Sequence, residues 1–230
     1  MYIGGLYTSE FNLLSCSRSC YQCWACDDSG EKGLNTDENC NLFLPKGLDY
    51  TLQNDDSWFY DDSTTVRELA ELQTVYHNSV GRNTVLELDF AVSKTGKLHP
   101  THKTRYKEFG DWIRSCYGDD NAVGFIGNIG KGWSASIAIE STATADRVVI
   151  REDQTRGQRI ISYEVYAQHA DGTTTVLSTG NSVGNKRIDL FEGGTVVKGN
   201  TTIIMHVIET VDGSAPTIGS FAAYGPDMCT

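Results

Sequence analysis

Four cysteines crowd one short stretch, Cys16-x3-Cys20-x2-Cys23-x2-Cys26, and a fifth follows at Cys40. Closely spaced thiolates can hold Zn2+ or an iron–sulfur cluster. This run lacks a second Cys-x2-Cys pair at finger distance and the Pro that follows bacterial cluster motifs. Disulfides of a secreted loop, or irregular sequence, are the better reading, and neither a metal nor a cofactor is expected. His99-Pro100-Thr101-His102 offers another pair of ligand types, but no carboxylate or Cys follows at ligand spacing. His102 is expected on the exposed first turn of a helix, and His77, His169 and His206 read as structural or solvated. Gly127-x2-Gly130-x-Gly132 lacks the strand-to-helix context of a phosphate-cradling loop, and no nucleophile-elbow motif occurs. The strongest binding candidate is Trp58 in Trp58-Phe59-Tyr60, because a flat apolar ring suits the C–H face of a pyranose. The competing role for those rings is to anchor a loop over the core.

The chain has 230 residues, enough for one large domain or two small ones, with 39% hydrophobic residues and 23 glycines. A net charge of −11 argues against nucleic acid, whose phosphates need clustered Lys and Arg, and against an anionic membrane surface. No apolar run reaches the roughly 20 residues of a spanning helix. Uncharged ligands, sugars above all, remain. The start, Met1-Tyr2-Ile3-Gly4-Gly5, is no signal peptide, yet there are seven cysteines and a glycosylation sequon at Asn200-Thr201-Thr202. Cysteines without a leader point to a secreted protein whose true start is missing, with at least one thiol unpaired or bonded to a lost residue.

Residues 1–53 read as loop with short strands. A helix is expected from Thr65, where Thr65-Val66-Arg67-Glu68 spells a capping box, with Val66, Leu69, Leu72, Tyr76 and Val80 on one face and Gly81 as its stop. Thr84–Phe90 alternates as a strand, Lys94–Lys97 turns, and a second helix runs from about Thr101 to Cys116 with a stripe of Tyr106, Phe109, Trp112 and Ile113. Beyond Gly118 the segments are short, alternating and rich in Val, Ile and Thr. Strands are expected at Ser136–Ile139, Arg147–Arg151, Ile160–Gln168, Thr174–Ser178, Lys186–Asp189, Thr202–Glu209 and Ile218–Tyr224, with a hairpin at Asp171-Gly172. An antiparallel sandwich follows from that spacing. Arg147, Arg151, Arg159 and Arg187 read as partners of neighbours such as Glu152, Asp153 and Asp189, or as residues that dock the sandwich on the preceding unit, rather than as a ligand edge.

Four stretches carry a family resemblance: Pro45–Tyr60 (PKGLDYTLQNDDSWFY), Ser79–Phe90 (SVGRNTVLELDF), Phe109–Ile113 (FGDWI), and Asp146–Ala167 together with Ser182–Ile188 (SVGNKRI). In that order they resemble the C-terminal part of α-L-fucosidases of glycoside hydrolase family 29. The resemblance implies an α+β chain in two parts: residues 1–118 as the C-terminal remnant of a (β/α)8-like barrel, and residues 119–230 as a jelly-roll, galactose-binding-like β-sandwich. It implies retaining hydrolysis of terminal α-L-fucosyl groups, fucosylated glycans as partners, and an extracellular or lysosomal setting. Trp58 and Asp49 are the substrate-binding residues it assigns.

The chain departs from the family pattern in three ways. The family's nucleophilic Asp is expected upstream of Met1. The acid/base Glu of its Pro-x-Glu-x-Asp loop falls on Gly47, which transfers no proton, so no catalytic residue is assigned and the chain alone is expected to be inactive. The stretch from Gly118 to Gly132 is too short for the usual opening of the sandwich, leaving it incomplete or differently closed at one edge. A partial barrel would also leave strand edges and both helices' apolar faces uncovered, so dimerisation, a partner such as a missing N-terminal half, or poor solubility is expected.

Overall fold

The computed structural model describes residues 47–54 and 58–229. The cysteine run at 16–40 and the rest of residues 1–46 lie outside that range. The first unit is a parallel β–α–β: β1 (Gly47–Thr51), α1 (Leu69–Asn78) and β2 (Val85–Asp89), with Asp49 opposite Glu87 and Thr51 opposite Asp89. A second helix, α2 (Pro100–Tyr117), follows. The remaining strands are β3 (Gly124–Lys131), β4 (Ser134–Ala138), β5 (Thr144–Ala145), β6 (Arg147–Glu152), β7 (Ile160–Gln168), β8 (Thr174–Gly180), β9 (Arg187–Leu190), β10 (Val197–Lys198), β11 (Thr202–Thr210) and β12 (Thr217–Tyr224). Eight of them form two four-stranded antiparallel sheets, ordered β4-β11-β7-β8 and β3-β12-β6-β9, and β5 pairs with β10.

The strand register follows the alternation of the sequence. Along β7, Tyr163, Val165 and Ala167 point inward, and along β11 so do Ile203, Met205 and Val207. With Val148, Ile150, Ile218 and Phe221 from the other sheet they fill one apolar core. At roughly 25 cal/mol per Å2 of apolar surface, such side chains each contribute about 1.5–3 kcal/mol. A polar cluster centred on Asp189 is buried beside this core. The Asp189 carboxylate accepts from Tyr163 Oη (2.7 Å), Ser178 Oγ (3.1 Å) and Arg187 Nε (2.6 Å), so its burial is compensated by charge and hydrogen bonds. Arg187 and Asp189 pair as expected, whereas Arg147 pairs with Asp146 and Arg159 with Asp212.

A second core lies on the outer face of the β3-β12-β6-β9 sheet. Leu72, Val75 and Tyr76 of α1 and Phe109 and Trp112 of α2 pack with Val149, Ile188, Ala222 and Tyr224 of the sheet. Most of the helices' apolar residues are therefore covered, contrary to expectation, because the sandwich supplies the layer; Tyr106 of the α2 stripe stays exposed. Cys116 in the last turn of α2 is disulfide-bonded to Cys229, 113 positions along the chain. The α1–β2 turn is stitched to the start of β9 by backbone bonds from Ile188 N to Gly81 O (2.8 Å) and Asn83 N to Lys186 O (3.0 Å). The Asn83 side chain accepts from Asn185 N at 2.7 Å.

Several local expectations fail for identifiable reasons. The capping box does not form: α1 begins at Leu69, and its N-cap Glu68 makes no side-chain cap. Thr65–Arg67 is extended instead, with Asn54 N bonded to Thr65 O, Arg67 N to Leu52 O, and the Thr65 hydroxyl taken by the Asn54 amide. Gly81 is not the helix stop, because Ser79 already caps the helix. The α2 start shifts by one because Pro100 takes the first helical position, where its missing N–H costs nothing. His102 is buried rather than exposed. The short connector after Gly118 is the edge strand β3, which completes its sheet. Asn128 and Gly130 adopt left-handed backbone there, opposite a register shift in β12 near Gly219.

Gly184 has φ of +66°, and a Cβ on it would meet the Asn83 amide at 2.3 Å. Gly184→Ala is expected to destabilise the fold by about 1–3 kcal/mol through backbone strain and the lost stitch, read as a lower urea midpoint. Glu152 gives a pH signature. Burial pushes its carboxyl up to about 7 from the ordinary 4.5, although Arg159 N, Ile160 N and Gly184 N donate to it and the Arg159 charge favours the anion. Between those two pH values the folded state holds a proton that the unfolded chain has released, so this group's contribution to stability falls as pH rises and levels off above 7. The wild-type melting temperature measured relative to Glu152→Gln should therefore fall over that interval, and a pH-independent difference would contradict the assignment.

Candidate functional site

Alternation along β1 and β2 turns Asp49, Glu87 and Asp89 to one exposed face of the parallel pair. Because the strands are parallel, their C-terminal ends lie together, and the segment leaving β1 departs from that end. Glu87 shares a hydrogen bond with Asp49, and that bond, followed by Asp49's charge, holds the Glu87 carboxyl above the usual carboxylate range. Burial, then the Asp49 charge, raises Asp89 as well. The face thus gathers three carboxyl groups, two of them shifted upward by burial or by their neighbour.

The aromatic loop is held from beneath. Gln53, only 1% exposed, donates its amide to Phe59 O at 2.8 Å and accepts from Asp61 N at 3.3 Å. The Asp61 carboxylate then accepts from Ser63 N and Ser63 Oγ, both at 2.8 Å, which lowers its pKa. Trp58 and Phe59 stand out from this anchor, 49% and 86% exposed. Tyr60 turns the other way, its ring centroid 5.5 Å from His99 and 5.8 Å from His102. His102 sits in the first turn of α2 with Nδ1 unpartnered, and burial, then the His99 charge, pushes its pKa down.

The two sequence-assigned residues thus occupy different settings: Asp49 lies on the strand face with Glu87, and Trp58 lies on the loop beyond the strand end. Sequence reasoning overlooked Glu87, Asp89 and Gln53. The alternation of Val85, Glu87 and Asp89 was the signal for the first two; nothing local marked Gln53. Chemically, the arrangement offers carboxyls able to bond hydroxyls and two exposed rings able to cover an apolar sugar face. Among the described residues, no group of three His, Cys, Asp or Glu side chains could hold a metal ion.

No family model and no curated protein matches this sequence. Solved structures do. A Bacteroides thetaiotaomicron protein assigned as an α-L-fucosidase superposes with a TM-score of 0.75 and 26% identity, covering 94% of this chain and 49% of its own. A Bacteroides ovatus protein with the same assignment gives a TM-score of 0.66 and 27% identity, covering 79% of this chain and 30% of its own. The fold also matches a Ruminococcus gnavus glycoside hydrolase family 29 fucosidase in complex with fucose, with a TM-score of 0.67 and 22% identity over 84% of this chain and 44% of that one. The chain therefore shares its fold with part of solved structures assigned as α-L-fucosidases. It is fucosidase-like in structure and spans about half the length of the first of these proteins; its likeness to glycoside hydrolase family 29 structures is one of fold.

If Asp49 sets the protonation of Glu87, Asp49→Asn should lower the Glu87 pKa toward its ordinary value. The titration of the Glu87 carboxyl carbon by NMR reads this directly; an unchanged curve would show that the two groups do not interact.

Proposed function

We propose that this chain is the closing section of an α-L-fucosidase-like enzyme, with residues 1–118 contributing to its barrel and residues 119–230 forming its accessory jelly-roll sandwich. The observation that carries this reading is the likeness over 94% of the chain at a TM-score of 0.75. The parallel β1–α1–β2 unit supports the barrel assignment, since parallel pairs with a helical crossover are the repeat from which such barrels are built.

The intact enzyme would hydrolyse terminal α-L-fucosides with retention. One carboxylate attacks the anomeric carbon while a second carboxyl group, about 5–5.5 Å away, protonates the departing oxygen and then activates water. Asp49 and Glu87 do not meet that requirement. They stand directly opposite one another on adjacent parallel strands and interact, an arrangement of neighbours on one face rather than of two groups flanking a bond. With Gly47 at the position of the family's Glu, this chain on its own is inactive and contributes recognition: Asp49 to hydroxyls, Trp58 to the apolar face and methyl group of fucose.

The same facts favour a second reading, a non-catalytic carbohydrate-binding or structural protein of the same descent. In either case fucosylated glycans are the partner. The Cys116–Cys229 disulfide supports an oxidising, extracellular or lysosomal setting. Parallel sheets are ordinarily covered on both faces, yet Val85 of β2 is 55% exposed. A second copy of the chain, or an N-terminal half, would cover that face.

The purified chain is expected to hydrolyse 4-nitrophenyl α-L-fucoside no faster than a heat-killed control, and turnover above it overturns the claim of inactivity. On a glycan array it is expected to retain fucosylated glycans, with Trp58→Ala weakening retention about tenfold, the loss of one well-packed aromatic contact. Equal retention by Trp58→Ala removes the aromatic loop from the site.

A further inference from the structure

At the end of the sandwich where β12 begins, three connections converge: the β3–β4 turn, the β6–β7 loop and the β11–β12 loop. Between them lies a cavity of about 190 Å3. No lining residue belongs to β1, α1, β2, α2 or the aromatic loop. We propose that this cavity is a second saccharide site, accepting one neutral sugar ring of a glycan, distinct from the Trp58 and Asp49 region.

Size is the first argument. The cavity falls short of the roughly 300 Å3 at which pockets begin to enclose drug-sized ligands, so a single ring is the fitting unit. Charge is the second. Its wall carries two cations, Lys131 and Arg159, and two anions, Asp153 and Asp212, so neither an anion nor a cation is favoured. Neighbouring donors and acceptors match what adjacent sugar hydroxyls present, since each hydroxyl both donates and accepts.

Preorganisation is the third argument. Asp212 accepts from Ser214 N at 3.1 Å and Ser214 Oγ at 2.7 Å, and it pairs with Arg159. These bonds keep Asp212 ionised and fix both side chains before a ligand arrives. On the opposite loop, the Asp153 carboxylate accepts from Thr155 N at 2.9 Å. The loop carrying Arg159 is itself clamped by Glu152, which accepts from Arg159 N and Ile160 N. Little conformational entropy is left to lose on binding.

Apolar contact is also at hand. Pro216 is buried in the cavity wall; Trp133, 39% exposed and outside the lining, occupies the adjoining β3–β4 turn two positions after Lys131. Its backbone is fixed, because Val207 N bonds to Trp133 O at 2.7 Å and Gly132 N to Pro216 O at 3.0 Å. Ile160 and Ile218, next in sequence to Arg159 and Thr217, are fully buried in the core.

The test titrates the full chain, 15N-labelled, with methyl α-L-fucopyranoside, methyl β-D-galactopyranoside and, separately, inorganic phosphate. At least one glycoside should shift the amides of Lys131, Thr155 and Ser214 with a Kd on the order of 1 mM, as expected for a single ring. Lys131→Ala and Asp212→Asn should each weaken that response by about fivefold, the loss of one hydrogen bond, while Trp58→Ala leaves it unchanged. The proposal is overturned if neither glycoside moves those amides in the wild type, or if phosphate moves them at lower concentration than both. A response lost in Trp58→Ala but retained in Lys131→Ala also overturns it, assigning sugar binding to the aromatic loop alone. Hydrolysis of 4-nitrophenyl α-L-fucoside bears on the enzyme reading and leaves this result untouched.

Discussion

The contact between Asn83 and Gly184 is the joint on which the architecture turns. Asn83 is in left-handed conformation, φ 64°, and faces a glycine that is also left-handed, so two backbone segments approach closer than side chains ordinarily permit. That proximity lets the α1–β2 turn bond directly to the start of β9. With the turn fixed, α1 lies over the outer face of the β3-β12-β6-β9 sheet, and α2 can stack Phe109 and Trp112 beside Tyr76. The orientation of β1 and β2, and so of the carboxyls on their open face, is inherited from the same joint.

Gly184 serves both parts of the chain. From the sandwich side its N–H donates to Glu152 at 3.4 Å. Glu152 also holds the backbone at Arg159 and Ile160, so one buried carboxylate ties the β8–β9 and β6–β7 connections together. Burying an anion costs several kcal/mol unless hydrogen bonds compensate, and here the backbone donors offset that cost only in part, which is why the Glu152 pKa stays raised to about 7. The two stretches SVGRN and SVGNK, read separately in the sequence as motifs, are in physical terms the two halves of one docking interface.

Much of the sandwich was legible because alternation and β-branched composition act locally. Ile160–Gln168 matches its strand end to end, and Asp171-Gly172 makes the hairpin through Asp171 accepting from Thr173 N. Strand β3 was missed because GFIGNIGK is punctuated by glycines that signal loop, while its pairing with β12 is set by distant chain. The capping box at Thr65 failed for a related reason: tertiary pairing with Leu52 and Asn54 claimed the groups that would have capped the helix. For the candidate site, the sequence pointed to Asp49 and Trp58 through resemblance. The Asp49–Glu87 pairing depends on parallel register, which no local pattern encodes. The cavity at the sandwich end joins Lys131, Arg159 and Asp212 from three connections, a juxtaposition invisible to spacing.

The shared second core has a bearing on how this architecture can be recombined. Val149, Ile188, Ala222 and Tyr224 face outward from the sandwich and are dry only because the helices lie on them. Excised as a free-standing module, the sandwich would carry an adhesive apolar patch, and its closing segment would lose its covalent anchor at Cys116. Evolutionary shuffling or laboratory grafting of this sandwich onto other proteins therefore requires either carrying the helical pair along or repainting that face with polar side chains.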